Sequence, residues 1–175
     1  NKISLALMVI SPLIFFTASA FMSKGQEPFA TYYFLFAWWP YIIFIQTLLE
    51  RGQGYSLMYD KPLSFSLYLP LSVFVWLIFE ILNIRLENWR YINLPDLQAL
   101  RFAGYFLSFA TVIPALMSTF DLLDHHDFLA KMKTKPMKLS QRALWTMTLV
   151  GLTMLALPII QPEYFFPLVW LGFIF

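Results

Sequence analysis

The sequence predicts an all-α protein, a polytopic bundle of about five transmembrane helices with a truncated sixth. Two features of the composition and one of the residue order predict this class. Apolar residues make up 59% of the 175 residues and charged residues 13%, against about 45–50% and about 25% in ordinary soluble domains. The apolar residues also gather in long runs close to bilayer length. Lipid solvates such surface, whereas a soluble domain would associate through it.

Five long runs and one short run define the predicted spans. They lie at residues 3–22, 29–49, 64–82, 102–123 and 143–160, with the partial run at residues 164–175. No internal repeat or low-complexity tract divides them, so we predict one transmembrane domain over residues 1–175. The last run is shorter than the roughly 20 residues that a span needs, and we therefore expect the natural chain to continue beyond Phe175.

The distribution of lysine and arginine predicts the orientation of the bundle. If the connection after the fourth run lies in the cytoplasm, eight of the 12 basic residues lie on that side. We therefore predict that the N-terminus and residues 124–142 face the cytoplasm of a bacterial inner membrane. The basic residues of this connection also predict contact with anionic lipid headgroups. They are Lys131, Lys133, Lys135, Lys138 and Arg142.

Every predicted span contains a proline, which removes a backbone donor and tends to kink a helix. Kinked helices can enclose a ligand cavity, but proline is also simply common in membrane helices. These prolines are Pro12, Pro40, Pro70, Pro114 and Pro158.

The fourth run carries small residues at spacings of four, three, four and three, which places them on one helix face. Such a face lets a neighbouring backbone approach closely in lipid. We therefore predict that this helix is central to the bundle. The small residues are Gly104, Ser108, Thr111, Ala115 and Ser118.

Cofactor chemistry is limited by the residue types available. The chain has no cysteine and two histidines, which excludes disulfides, thiolate clusters and a stack of bis-histidine haems. Aromatic residues form 19% of the chain. Their flat apolar rings suit a quinone, carotenoid or chlorin as well as ordinary packing, so the cofactor stays unspecified. Nothing in the sequence indicates nucleic-acid binding.

The end of the third run carries the candidate catalytic residues Glu80, Asn83 and Arg85. If the helix continues, Glu80, Asn83, Glu87 and Arg90 share one polar face. A carboxylate near lipid needs a partner, and Arg85 or Arg90 is the expected counter-ion. Glu80 could protonate a lipid alkene or relay a proton. The alternative is an ion pair that only holds the helix end.

A candidate metal site follows the fourth run. Asp121 and Asp124 are three residues apart, and Asp121 and His125 are four apart, so on a helix these side chains could share a divalent ion. The alternative is a solvated helix end. Gln46 and Glu50 form a further polar pair, which we expect at the membrane boundary.

The string from Phe79 to Tyr91, FEILNIRLENWRY, and the run FATVIP at residues 109–114 resemble a family of multi-pass bacterial membrane proteins of unassigned function. The resemblance covers residues 37–123. Members carry acidic residues after the proline, where this chain has Ser118 and then Asp121. A fainter similarity, in helix number and intramembrane acids, is to small membrane-bound lycopene cyclases.

Three functions remain open. The first is a non-catalytic subunit that cradles a lipid or cofactor in a larger membrane complex, with the bilayer and other subunits as partners. The second is an intramembrane enzyme that acts on a lipid or isoprenoid with Glu80 as acid. The third is a transporter, which would normally show inverted repeats or more polar residues at the midplane.

Overall fold

The computed structural model describes residues 2–126, 128 and 138–174. These residues are helical or loop, which confirms the all-α class. Four helical segments are long and apolar enough to cross a membrane, one fewer than the sequence predicted. They are Lys2–Met22, Pro62–Leu86, Gln98–His125 and Gln141–Ile160. The protein is therefore membrane-embedded by the length and composition of its helices.

The remaining long helix, Tyr33–Gln53, is not among these four segments. Its polar and aromatic residues lower its mean hydropathy. It contains two tryptophans, Pro40, Gln46 and Glu50. It is also well enclosed, since it buries six residues, against three in the helix Lys2–Met22. A helix covered by its neighbours needs less apolar surface than one that faces lipid on most sides.

The helices are numbered in chain order. They are α1 (Lys2–Met22), α2 (Tyr33–Gln53), α3 (Leu57–Asp60), α4 (Pro62–Leu86), α5 (Gln98–Phe109), α6 (Val112–His125), α7 (Gln141–Ile160), α8 (Pro162–Phe165) and α9 (Leu168–Leu171), followed by a 3₁₀ turn at Gly172–Ile174. The partial run at residues 164–175 does not form one continuous helix, because Pro167 stands between α8 and α9.

The chain divides into two compact units. The first contains residues 1–76 and 92–132, and the second contains residues 77–91 and 133–175. Helix α4 supplies residues to both. Each unit is described separately below, and a single transmembrane domain over the whole chain stays a prediction.

The first unit is built around α2, which packs against α1, α5 and α6. One apolar cluster joins Ile42 of α2 to Phe65 and Ala115. The predicted small-residue face contributes to this packing, because Thr111, Ala115 and Ser118 are 0%, 4% and 0% exposed. Small side chains at this face let α6 lie close to α2.

The predicted fourth span is interrupted between α5 and α6. In a continuous helix the N–H of Ile113 would bond to the carbonyl of Phe109. Instead, the Ser72 hydroxyl of α4 lies between them. Its Oγ donates to the Phe109 carbonyl at 2.5 Å and accepts the Ile113 N–H at 3.0 Å. A side chain inserted into the helical hydrogen-bond ladder is a recognised cause of a break.

Pro114 adds to the interruption. It has no N–H to offer the carbonyl of Ala110, four residues earlier. The Thr111 hydroxyl bonds back to the Ser108 carbonyl at 2.7 Å. The 102–123 run is therefore two helices joined at a break rather than one helix.

We expect Ser72→Ala to lower the free energy of unfolding by about 1–3 kcal/mol, because the buried Phe109 carbonyl and Ile113 N–H lose their shared partner. Denaturant titration of the protein in mild detergent, followed by tryptophan fluorescence, measures the change. Ser66→Ala removes an exposed hydroxyl from the same helix and should have little effect. Equal stability of the two variants would contradict the role of Ser72.

Candidate functional site

Glu80 lies near the end of α4, in the second unit. Two donors reach its Oε1 atom: Trp89 Nε1 at 3.1 Å and the Tyr91 hydroxyl at 2.6 Å. Both belong to residues 87–91, which we call the return segment because it folds back along the end of α4. The reversal starts at Glu87, whose φ of 49° lies in the left-handed region, a common conformation after the last turn of a helix.

Asn83 fixes the backbone of the return segment. Its Oδ1 accepts the N–H groups of Asn88 at 2.9 Å and Trp89 at 3.2 Å. Its Nδ2 donates to the Trp89 carbonyl at 2.9 Å. One side chain thus satisfies three backbone groups of the return segment, which lies outside the helix.

Glu80 and Asn83 both bond to the return segment, Glu80 to side chains and Asn83 to backbone groups. The structure thus brings the two residues together at this segment. The polar face that was expected to continue along one helix through Glu87 and Arg90 does not form, because α4 ends at Leu86. Arg85 and Arg90 are both exposed. Sequence reasoning missed the Trp89 and Tyr91 donors, although both follow Glu80 closely and carry polar hydrogens.

The predicted metal ligands Asp121, Asp124 and His125 all lie on the last two turns of α6. Among the described residues, no group of three or more His, Asp or Glu side chains is arranged to hold an ion. Asp124 and His125 are exposed, and Asp121 is partly buried. His125 lies beside the end of α2, where a Cβ on Gly52 would come within 3.4 Å of its Nε2 atom. The exposure of Asp124 and His125 is that of a solvated helix end, and a metal site at these residues stays a prediction.

Most of the connection 124–142, with Asp127, Lys131, Lys133 and Lys135, lies outside the described residues. Lys138 and Arg142 are described, and both are exposed. Contact of this basic stretch with anionic headgroups stays a prediction.

A buried polar network surrounds Gln46, which we had expected at the membrane boundary and which is 1% exposed. Its Oε1 accepts the Ser56 hydroxyl at 2.9 Å and the Met58 N–H at 3.1 Å. Its Nε2 donates to Ser118 Oγ at 2.9 Å. Glu50, the other member of the pair, accepts the hydroxyl of Ser4 at 2.7 Å. The hydrogen bonds of Gln46 link α2 to α3 and α6 within the first unit, and the separate bond of Glu50 links α2 to α1.

The first unit also contains an apolar groove of about 580 Å³ between α1, α2 and α5. We call it the Tyr32 groove. Its walls include Phe36 and Trp39 of α2, Ile10 of α1 and Leu107 of α5. Tyr32 lines it as well, and the Tyr32 hydroxyl oxygen is buried without a hydrogen-bond partner among the described residues.

Gly104 of α5 makes room for the Tyr32 ring. A Cβ at this position would come within 3.2 Å of Tyr32 Cε1, which is tighter than ordinary van der Waals contact. The small residue predicted to permit close helix packing therefore also admits an aromatic ring.

A second apolar groove, of about 520 Å³, lies between α2 and α6 in the same unit. Tyr41 lines it, and the Tyr41 hydroxyl is 2.7 Å from Thr119 Oγ1. Thr119 gives its own proton to the Ala115 carbonyl at 2.7 Å, so Tyr41 is the donor between the two hydroxyls. This phenol, unlike that of Tyr32, has a hydrogen-bond partner within the part of the chain that the structure describes.

Comparisons with protein families, with curated proteins and with solved structures gave no match.

We expect Asn83→Ala to release the return segment, because three hydrogen bonds to its backbone are lost. Amide hydrogen exchange of a peptide covering residues 87–91 should become faster, and the free energy of unfolding should fall by about 1–3 kcal/mol. Asn88→Ala is the matched control, since the Asn88 side chain is exposed and its backbone N–H remains. Unchanged exchange in Asn83→Ala would show that its side chain does not hold the segment.

Proposed function

We propose that this protein is a non-catalytic integral membrane subunit that cradles an apolar ligand within a larger membrane complex. The observation that carries the proposal is the Tyr32 hydroxyl, a buried donor that lacks a partner among the described residues and belongs to a residue that lines an apolar groove. A groove with mostly apolar walls and one convergent polar group is typical of small-molecule sites.

The energetic cost of an unsatisfied hydroxyl is an argument for a ligand at Tyr32. Leaving a buried donor unsatisfied costs about 1–3 kcal/mol, and phenylalanine would fill the same space without that cost. A ligand that brings an acceptor into the groove removes the penalty. The ligand class is therefore an apolar molecule with a carbonyl group, such as a quinone or an ester-linked lipid.

The walls of the groove fit such a molecule. Phe36 and Trp39 offer flat aromatic surfaces, and Ile10, Leu35 and Leu107 offer branched aliphatic ones. The volume of about 580 Å³ lies within the range of about 300–1,000 Å³ usual for ligand pockets.

The proposal includes five spans, with α2 crossing the membrane between the other helices. Its 21 residues rise about 30 Å, close to the thickness of the hydrocarbon core. The distribution of basic residues favours a cytoplasmic N-terminus and a cytoplasmic connection at residues 124–142, and the family resemblance favours a bacterial inner membrane. Large exposed side chains along the four apolar segments, such as Ile3, Leu67, Leu116 and Leu149, at 59% exposure or more, would face lipid or neighbouring subunits.

An enzyme with Glu80 as acid has weaker support. Trp89 and Tyr91 both donate to Glu80 Oε1, so this oxygen acts as an acceptor for the chain's own return segment. That arrangement explains Glu80 without a substrate.

Tyr32→Phe distinguishes a ligand site from a packing defect, because the two explanations differ in the expected change of the ligand-induced rise in Tm. Without ligand, the variant should be as stable as the original protein or more stable, because an unsatisfied hydroxyl is removed. With a short-chain benzoquinone as probe, its ligand-induced rise in Tm should be smaller than that of the original protein, by an amount matching about a tenfold loss of affinity.

Tyr41→Phe is the matched control. It removes a phenol that already bonds to Thr119, so it should lower stability without ligand and leave the response to the benzoquinone unchanged. Mass spectrometry of molecules that co-purify in mild detergent should find a carbonyl-bearing apolar compound, depleted in Tyr32→Phe. An identical response of Tyr32→Phe and the original protein to the benzoquinone, with no such compound depleted, would refute the proposed site.

A further inference from the structure

The second unit contains a groove of about 380 Å³ where α4 ends and α8 begins. We call it the interfacial groove. Unlike the two grooves of the first unit, it has mostly polar walls. Its charged side chains are Arg85, Glu87 and Glu163, and Asn88 contributes an amide. Phe166 supplies an apolar wall.

We expect this groove to lie at the membrane surface. Two membrane-length helices, α4 and α7, end beside it at Leu86 and Ile160. Aromatic rings gather in the same unit: Trp170 lies 5.0 Å from Phe79 and 5.9 Å from Trp89, measured between ring centroids. Tryptophan is enriched where helices leave the hydrocarbon for the headgroup layer.

Apolar side chains next to the charged walls would meet the acyl chains of a lipid. Ile84 precedes Arg85 by one residue and is 79% exposed, and Ile160 precedes Pro162 by two and is 72% exposed. A molecule bound here would meet charge at one end and aliphatic surface at the other.

We propose that the interfacial groove binds the headgroup of a zwitterionic phospholipid that carries a primary ammonium, the phosphatidylethanolamine class. The guanidinium of Arg85 suits the phosphate, because its planar set of donors matches phosphate oxygens. The carboxylates of Glu87 and Glu163 suit the ammonium, which has three N–H donors and no acceptor. One cation and two anions in one groove thus complement a headgroup with charges of both signs.

The same charges discriminate against other common lipids. An anionic phosphatidylglycerol would satisfy Arg85 but bring no cation to the two carboxylates. The trimethylated ammonium of phosphatidylcholine has no N–H to donate to them. This proposal is independent of the Tyr32 groove, which lies in the other unit.

The test uses the full chain in nanodiscs that contain equal amounts of phosphatidylethanolamine, phosphatidylcholine and phosphatidylglycerol with identical acyl chains. Native mass spectrometry after release from the discs counts the retained lipids. The original protein should retain phosphatidylethanolamine in preference to the other two. Glu163→Gln and Glu87→Gln should each reduce that preference about threefold to tenfold, whereas Asp96→Asn, which removes an exposed carboxylate in the first unit, should not.

A measurement on the original protein keeps the test independent of variant folding. Retention should fall stepwise as the lipid ammonium is methylated once, twice and three times, since each methyl group removes one donor. Soluble glycerophosphoethanolamine at the same concentration should not displace the lipid, because it lacks the acyl chains. Equal retention of phosphatidylethanolamine and phosphatidylcholine, a preference for phosphatidylglycerol, or full displacement by the soluble headgroup would each overturn the proposal.

Discussion

The first unit depends on the two hydrogen bonds that the Ser72 hydroxyl makes at the break between α5 and α6. Within lipid there is no water to satisfy a freed backbone group, so an interrupted helix needs a protein partner at the interruption. A hydroxyl can donate and accept at once, and Ser72 serves both Phe109 and Ile113. The side chains of Val73, Phe109 and Ala110 form an apolar cluster in the same region, which shields these bonds from lipid and from water.

The Gln46 side chain is subject to the same requirement that buried polar groups find protein partners. The direction of each of its hydrogen bonds can be assigned. A backbone N–H can only donate, so the bond from Met58 identifies Gln46 Oε1 as the acceptor. Nε2 then has to donate to Ser118, whose own proton goes to the Pro114 carbonyl. Three helices are thereby positioned without a charged group, which avoids the desolvation cost of an ion pair.

The sequence predicted the features that depend on local composition. The runs at 3–22 and 143–160 became α1 and α7 with nearly the same bounds, since a long apolar stretch flanked by polar residues is a local signal. The break at Ala110 was not predicted, because it depends on Ser72, a residue 37 positions from Phe109. The Trp89 and Tyr91 donors to Glu80 were missed for a similar reason: charge suggested arginine, and nothing in the sequence indicated that the left-handed turn at Glu87 would bring aromatic donors to this carboxylate.

Three tyrosines of the first unit show why one polar atom is more informative than the others. The hydroxyls of Tyr33 and Tyr41 bond to Ser19 and Thr119, so each phenol is explained by the fold. The Tyr32 hydroxyl is buried but has no partner among the described residues. Packing alone would favour phenylalanine at such a position. The apolar ligand that we propose for the Tyr32 groove would supply the acceptor that this hydroxyl lacks among the described residues.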